Sequence, residues 1–186
     1  NQEHNDDLQE LWIKAQDGNQ WAFDELFRMT FPSLYEYGYK FISDEDLVKD
    51  AIQDIFIYIW LHKKSLKKIK SIKAYLYISL RNRMLKLQKR HSTWLHYDKL
   101  NSRQSFSELF DIENFFIQSE IQDSDKKKIQ NAIEQLSKRQ KEAIYLKFYK
   151  EMTNEEISQI MNINVQSVYN LISEAIKILK QILNLK

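Results

Sequence analysis

The chain has 186 residues, 28 basic and 26 acidic side chains, a formal net charge of +2, 43% hydrophobic content, two glycines, one proline and no cysteine. The absence of cysteine excludes disulfides, zinc–thiolate sites and thiol catalysis, and the scarcity of Gly and Pro argues for helices with few tight turns. No apolar run approaches the roughly 20 residues of a bilayer span and no signal peptide is evident, so the expected location is cytoplasmic, without membrane insertion.

Caps and breakers divide the chain in order. Asn5 before Asp6 and Asp7 predicts a first helix running to Gly18. Asn19 can cap "QWAFDELFRMTFPSLYEYGYKFI", in which Pro32 and Gly38 predict a kink or break near Phe31. Ser43 with Asp46 resembles a capping box for a helix over 44–62. Ser71 can cap a helix over 72–90. Residues 91–124 lack clean periodicity, and a linker is expected at 93–124, between domains at 1–92 and 125–186. Phe106, Phe110, Phe115 and Phe116 are costly to leave in water, so part of that linker is expected to dock. Ser137 with Gln140 and Thr153 with Glu156 predict two further capping boxes. No stretch shows sustained period-2 alternation, and the fold class expected is all-α: two small helical domains joined by a partly irregular linker.

Charge is distributed unevenly. Residues 1–60 carry 13 acidic and 4 basic side chains. From Ile55 to Tyr97 there is no acid, while eleven Lys and Arg occur between Lys63 and Arg90. An acid-free basic block in a nearly neutral chain is the footprint of a polyanion, or else a solvated Lys-rich face. Tyr75, Tyr77, Arg81 and Arg83 fall inside it. Rings beside cations suit single-stranded nucleic acid, whose bases stack and whose phosphates pair with charge.

Near the C-terminus, "TNEEISQIM" is followed by "NIN" and a fresh apolar period. Ile157, Ile160 and Met161 share one face, Ile163 is placed inward, and Asn164 caps a second helix whose Val168, Leu171, Ile172 and Ala175 face back. A short helix, a three-residue turn and a longer helix form a helix-turn-helix layout, or a plain helical hairpin. In the former, the second helix enters the major groove with Gln166, Ser167, Tyr169, Asn170 and Ser173 outward. Asn and Gln suit adenine edges, and Ser suits several bases.

The C-terminal stretch "LSKRQKEAIYLKFYKEMTNEEISQIMNINVQSVYNLISEAIKIL" resembles region 4 of the sigma-70 family of bacterial transcription initiation factors. "AFDELFRMTFPSLYEYGYKF", "DAIQDIFIYIW" and "IKAYLYISLRNRML" resemble, in order, blocks of that family's region 2. The resemblance runs from about Ala22 to Leu183 and leaves no room for region 3, which implies the compact extracytoplasmic-function (ECF) type. It implies a non-enzyme that binds core RNA polymerase, recognises promoter −10 and −35 elements and helps open the duplex. An anti-sigma factor is a candidate further partner. A helix-turn-helix regulator acting without polymerase is the alternative.

The resemblance also implies roles for residues. Asp50, Gln53 and Asp54 would face the clamp helices of the polymerase largest subunit, while Ile52, Ile55, Phe56, Ile59 and Trp60 anchor the helix. Ser71, Lys73, Tyr75, Tyr77, Arg81 and Asn82 would meet the separated −10 strand, with either tyrosine alternatively in the core. The −35 contact falls to Gln166, Ser167, Tyr169, Asn170 and Ser173, with Arg139, Lys141, Lys177 and Lys180 near phosphates. Glu108, Asp111 and Glu113 would lie in the linker near the polymerase active-site channel. Tyr169, Leu171 and Glu174 stand where the family often has Arg or Lys, which implies weaker phosphate attraction. The four histidines, at 4, 62, 91 and 96, have no metal-site spacing. No nucleophile motif or Gly-rich phosphate loop is present, so no metal, cofactor or catalysis is expected.

Overall fold

Polar side chains set where the helices begin. In the computed structural model, which describes residues 2–66, 69–94 and 123–183, the helices are α1 (Gln2–Gln16), α2 (Gln20–Tyr39), α3 (Glu45–His62), α4 (Ile72–Trp94), α5 (Asp123–Glu134), α6 (Lys138–Ile144), α7 (Asn154–Met161) and α8 (Val165–Leu183). Asn19 Oδ1 accepts from Ala22 N–H at 3.0 Å, and Ser71 Oγ from Ala74 N–H at 3.2 Å. Ser137 with Gln140 and Thr153 with Glu156 form reciprocal capping boxes at α6 and α7. Each such cap satisfies an N–H that the helix itself cannot. The described residues contain no strand, and the fold is all-α. No helix among them is long and apolar enough to cross a membrane.

Several boundaries differ from the sequence expectation; α4, expected over 72–90, runs to Trp94, past the expected start of the linker. The first helix begins at Gln2 rather than after Asn5. The cap of α3 is Asp44, whose carboxylate accepts from Leu47 N–H at 3.1 Å, not Ser43. The second helix is not broken near Phe31: α2 runs through Pro32 to Tyr39. Tertiary packing overrides the lost backbone bond, because α2 buries Ala22, Leu26, Thr30, Leu34, Tyr37 and Gly38 against its neighbours.

The chain divides into two units, Asn1–Gln104 and Ser105–Lys186. In the first, α2 packs on α1, α3 and α4, and α4 also meets α1 and α3. Leu26, Leu34, Ile52, Ile59, Leu76, Leu80 and Met84 are fully buried there, each stabilising the fold by about 1.5–3 kcal/mol relative to exposure. The two glycines have separate uses. Gly18 adopts φ +96° and ends α1, with its N–H bonded to Ala15 O at 3.0 Å. Gly38 is a contact point: a Cβ there would lie 2.8 Å from Val48 Cγ1 and 3.5 Å from Leu80. Both neighbours are fully buried and Val48 is β-branched, so neither yields easily. Gly38→Ala is therefore expected to lower the melting temperature. Overpacking costs about 1–3 kcal/mol, against a helix-propensity gain of at most about 1 kcal/mol. A higher melting temperature would contradict this packing of α2.

In the second unit, α8 packs on α5, α6 and α7. Between α6 and α7 the chain makes one wide π-helical turn, Tyr145–Tyr149, closed by Lys150 N–H to Tyr145 O at 3.1 Å. Ala132, Leu136, Ala143, Ile144, Leu146, Ile157, Ile160, Met161, Val168 and Ala175 fill the core. The expectations for Phe106, Phe110, Phe115 and Phe116, and for Glu108, Asp111 and Glu113, fall outside the described residues.

Candidate nucleic-acid interface

The turn between α7 and α8 is made by asparagine. Asn162 takes the left-handed conformation, φ 52° and ψ 53°, at the end of α7. Asn tolerates this region better than other non-glycine residues. Ile163 N–H then bonds back to Ser158 O at 3.0 Å, and Asn164 Oδ1 accepts from Ser167 N–H at 2.7 Å to start α8. Ile163 and Leu171 are half-buried, while Val168, Ile172 and Ala175 are buried. One helix face is thus fixed inward, and Gln166, Tyr169, Asn170 and Ser173 are left exposed, with Ser167 half-buried. Gln166 Nε2 donates to Asn170 Oδ1 at 3.1 Å. Arg139, Lys177 and Lys180 are exposed.

Lys141 does not belong with them. It is 3% exposed, and its ammonium donates to Glu134 O at 3.3 Å. That bond satisfies an orphan carbonyl at the end of α5. Sequence spacing placed Lys141 beside Arg139 but could not show that α5 ends against it.

In the first unit the basic loop between α3 and α4 is held by α1. Gln9 accepts from Ile72 N–H at 3.0 Å and donates to Ile69 O at 3.3 Å, while Gln16 donates to Leu66 O at 3.1 Å. The sequence assigned α1 no such role, because a glutamine on a helix names no partner. Ser71 Oγ accepts from Ala74 N–H and so caps α4. Lys73, Tyr75 and Arg81 are half-buried, and Asn82 is exposed. Burial pushes the Tyr75 phenol above its ordinary pKa, a hydrogen bond with Ser79 works the other way, and the nearby Tyr58 raises it a little more.

Tyr77 is a core residue. It is 3% exposed, its ring lies 4.9 Å from that of Tyr37, and its hydroxyl is 2.5 Å from Ser33 Oγ. Of the two readings open for each tyrosine, the core reading holds for Tyr77, since a ring so deeply buried cannot receive a base. Tyr75, two residues earlier on a helix, turns to a different face.

On α3 the exposed residues form one strip. Asp50, Gln53 and Asp54 are exposed, and so are Ile57 (58%), Tyr58 and Leu61 (71%). Spacings of three and four put all six on one face. Asp54 is not unpaired: Arg83 of α4 meets its carboxylate at 2.6 Å. The sequence pattern revealed only the polar half of this strip. The anchors Ile52, Phe56 and Ile59 are buried as expected. Ile55 and Trp60 are half-buried. The Trp60 ring rests against Phe23 at 4.8 Å and beneath the Lys63 ammonium at 3.6 Å.

The chain thus has two helical units, one with a basic aromatic helix and one with a helix-turn-helix. Residues 26–106 match the model of Sigma-70 region 2, and residues 126–179 match that of Sigma-70 region 4. The chain is similar to the structure of CnrH in complex with the cytosolic domain of CnrY, at 20% identity and TM-score 0.60, covering 94% of this chain and 95% of that one. It is likewise similar to the sigma factor RpoE from Bartonella quintana, in complex with the anti-sigma factor NepR, at 20% identity and TM-score 0.60, covering 88% and 98%. At that identity the two likenesses establish the fold. No curated protein matches the chain. With both regions present in order, the chain belongs to the sigma-70 family, as a transcription initiation factor of the ECF type. Such a factor binds core RNA polymerase and promoter DNA.

Proposed function

We propose that the faces of α3, α4 and α8 divide the work of initiation among them. The α3 strip from Asp50 to Leu61 docks on core polymerase. The basic loop and α4, through Ser71, Lys73, Tyr75, Arg81 and Asn82, hold the separated −10 strand. The outward face of α8 reads the −35 duplex, with Arg139, Lys177 and Lys180 on flanking phosphates. Residues 1–92 and 125–186 then act as the docking-and-melting domain and the −35 domain, joined by 93–124. The protein works in the cytoplasm and contributes binding energy rather than chemistry of its own.

The observation that carries this reading is the α3 strip. A helix-turn-helix regulator independent of polymerase has no use for Ile57 and Leu61 held in water, since exposed apolar strips rimmed by polar groups suit protein partners. The same exposed strip supports control by an anti-sigma factor. Both similar structures were solved with partners of their own, and a protein covering this face would keep polymerase away.

Permanganate footprinting tests the division of labour. Core polymerase with this protein should make thymines near −10 reactive, whereas neither component alone should. Reactive thymines with the protein alone, or none with the complex, would contradict it.

A further inference from the structure

The outward face of α8 lacks the residue type that reads guanine. Bidentate guanine recognition needs Arg or Lys, and from Val165 to Ile176 α8 has neither. Its first cation, Lys177, lies eleven residues beyond Gln166. At 1.5 Å per residue that is about 16 Å along the axis, more than the ~12 Å width of the major groove. Lys177 and Lys180 therefore fall at the flanking backbone when the start of α8 is in the groove.

What occupies the groove-facing turns is a preassembled amide pair. Gln166 Nε2 donates to Asn170 Oδ1 at 3.1 Å, with both side chains exposed. This bond joins one carbonyl to one amide nitrogen and leaves the Gln166 carbonyl and the Asn170 amide nitrogen outside it, on two exposed residues. Exchanging the roles of the two amides leaves the same result, one acceptor and one donor. Adenine presents the complement in the major groove, an N7 acceptor beside an N6 donor. Guanine presents two acceptors and cannot satisfy both halves. At 100° per residue, Tyr169 and Ser173 lie on the same side of the helix as the pair. Tyr169 is 53% exposed, an apolar ring available to a thymine methyl group.

We infer that Gln166 and Asn170 act as a single adenine reader in the −35 element, and that Tyr169 reads the methyl of a neighbouring thymine. This rests on the proposed −35 role of α8. It replaces two independent polar contacts by one composite one, so the two residues must fail together.

The experiment uses core polymerase reconstituted with the full chain. Promoter complexes are selected from a library with the −35 region randomised and a −10 region on which the complex initiates. One position should prefer adenine by about tenfold, the discrimination of one good bidentate contact. Gln166→Ala and Asn170→Ala should each abolish that preference at the same position, and the double variant should lose nothing more. Replacing the neighbouring thymine by uracil, which lacks the methyl, should weaken the wild-type complex by the same factor as Tyr169→Ala, and should leave the Tyr169→Ala complex unchanged. A guanine preference, relaxation at two different positions by the two variants, or indifference to uracil would overturn the inference. Unaltered −35 selectivity in both amide variants, with initiation intact, would overturn this inference and leave the initiation role standing. Initiation on no template at all would remove both.

Discussion

Replacing Ile57 and Leu61 together by serine should abolish stable association with core polymerase while leaving the protein folded. Both side chains are more than half exposed in the free protein, and exposed substitutions usually change stability by less than roughly 0.5 kcal/mol each. Apolar anchors at the centre of an interface commonly contribute about 2 kcal/mol or more apiece, so the pair should weaken binding by at least ~100-fold. Asp50→Lys with Asp54→Lys should act in the same direction, because like charges meeting across an interface are costly. The second change also places a cation beside Arg83, which pairs with Asp54, so a small loss of stability is expected in addition. Arg83→Gln is the control: it removes the ion pair and leaves the strip in place. Co-elution with core polymerase, beside thermal melting of each variant, gives the readout. Normal melting with wild-type association of the serine variant would move the docking surface off α3.

Tyr75 and Tyr77 should separate cleanly despite their proximity in sequence. Tyr77→Ala removes a buried ring packed on Tyr37 and should destabilise the first unit by about 3–5 kcal/mol, as full truncation of a core aromatic does. Tyr75 is half-buried, and its truncation should cost less stability. Its larger effect should be on promoter opening, where stacking on a separated base is worth about 1–3 kcal/mol. A template already melted around −10 does not need to be opened. Tyr75→Ala should therefore reduce complex formation more on duplex promoters than on pre-melted ones, and Tyr75→Phe should retain most of the difference. Equal loss on both templates would make Tyr75 a packing residue like Tyr77.

The contrast between these tyrosines marks where the sequence stops being informative. Helix existence was legible because caps and apolar period agree: Ser71, Ser137, Thr153 and Asn164 all cap as their spacing suggests. The helix-turn-helix was legible because Asn162 and Asn164 interrupt one apolar period and start another. Pro32 misled, since local propensity says break while the surrounding helices supply enough burial to hold α2 together. Lys141 misled because a charged side chain can be consumed by a carbonyl at the end of another helix. The apolar half of the α3 strip was hidden for a related reason. In a run as hydrophobic as "IFIYIWL", the pattern picked out the anchors Phe56 and Ile59 but did not show which of the other apolar residues stay in water. Only the packing of α3 on α2 and α4 leaves Ile57 and Leu61 outside. The Asp54–Arg83 pair joins residues 29 apart in sequence, and no local rule connects them.

Run-off transcription on a fragmented genomic library, with core polymerase and this protein as the only initiation factor, addresses the central claim most directly. Transcripts should arise from a limited set of fragments, share a spaced pair of sequence elements upstream of their start sites, and disappear with the Ile57→Ser, Leu61→Ser variant. If no fragment yields a transcript while a housekeeping factor initiates in the same reaction, the protein does not direct initiation, and the roles assigned to α3, α4 and α8 fall together.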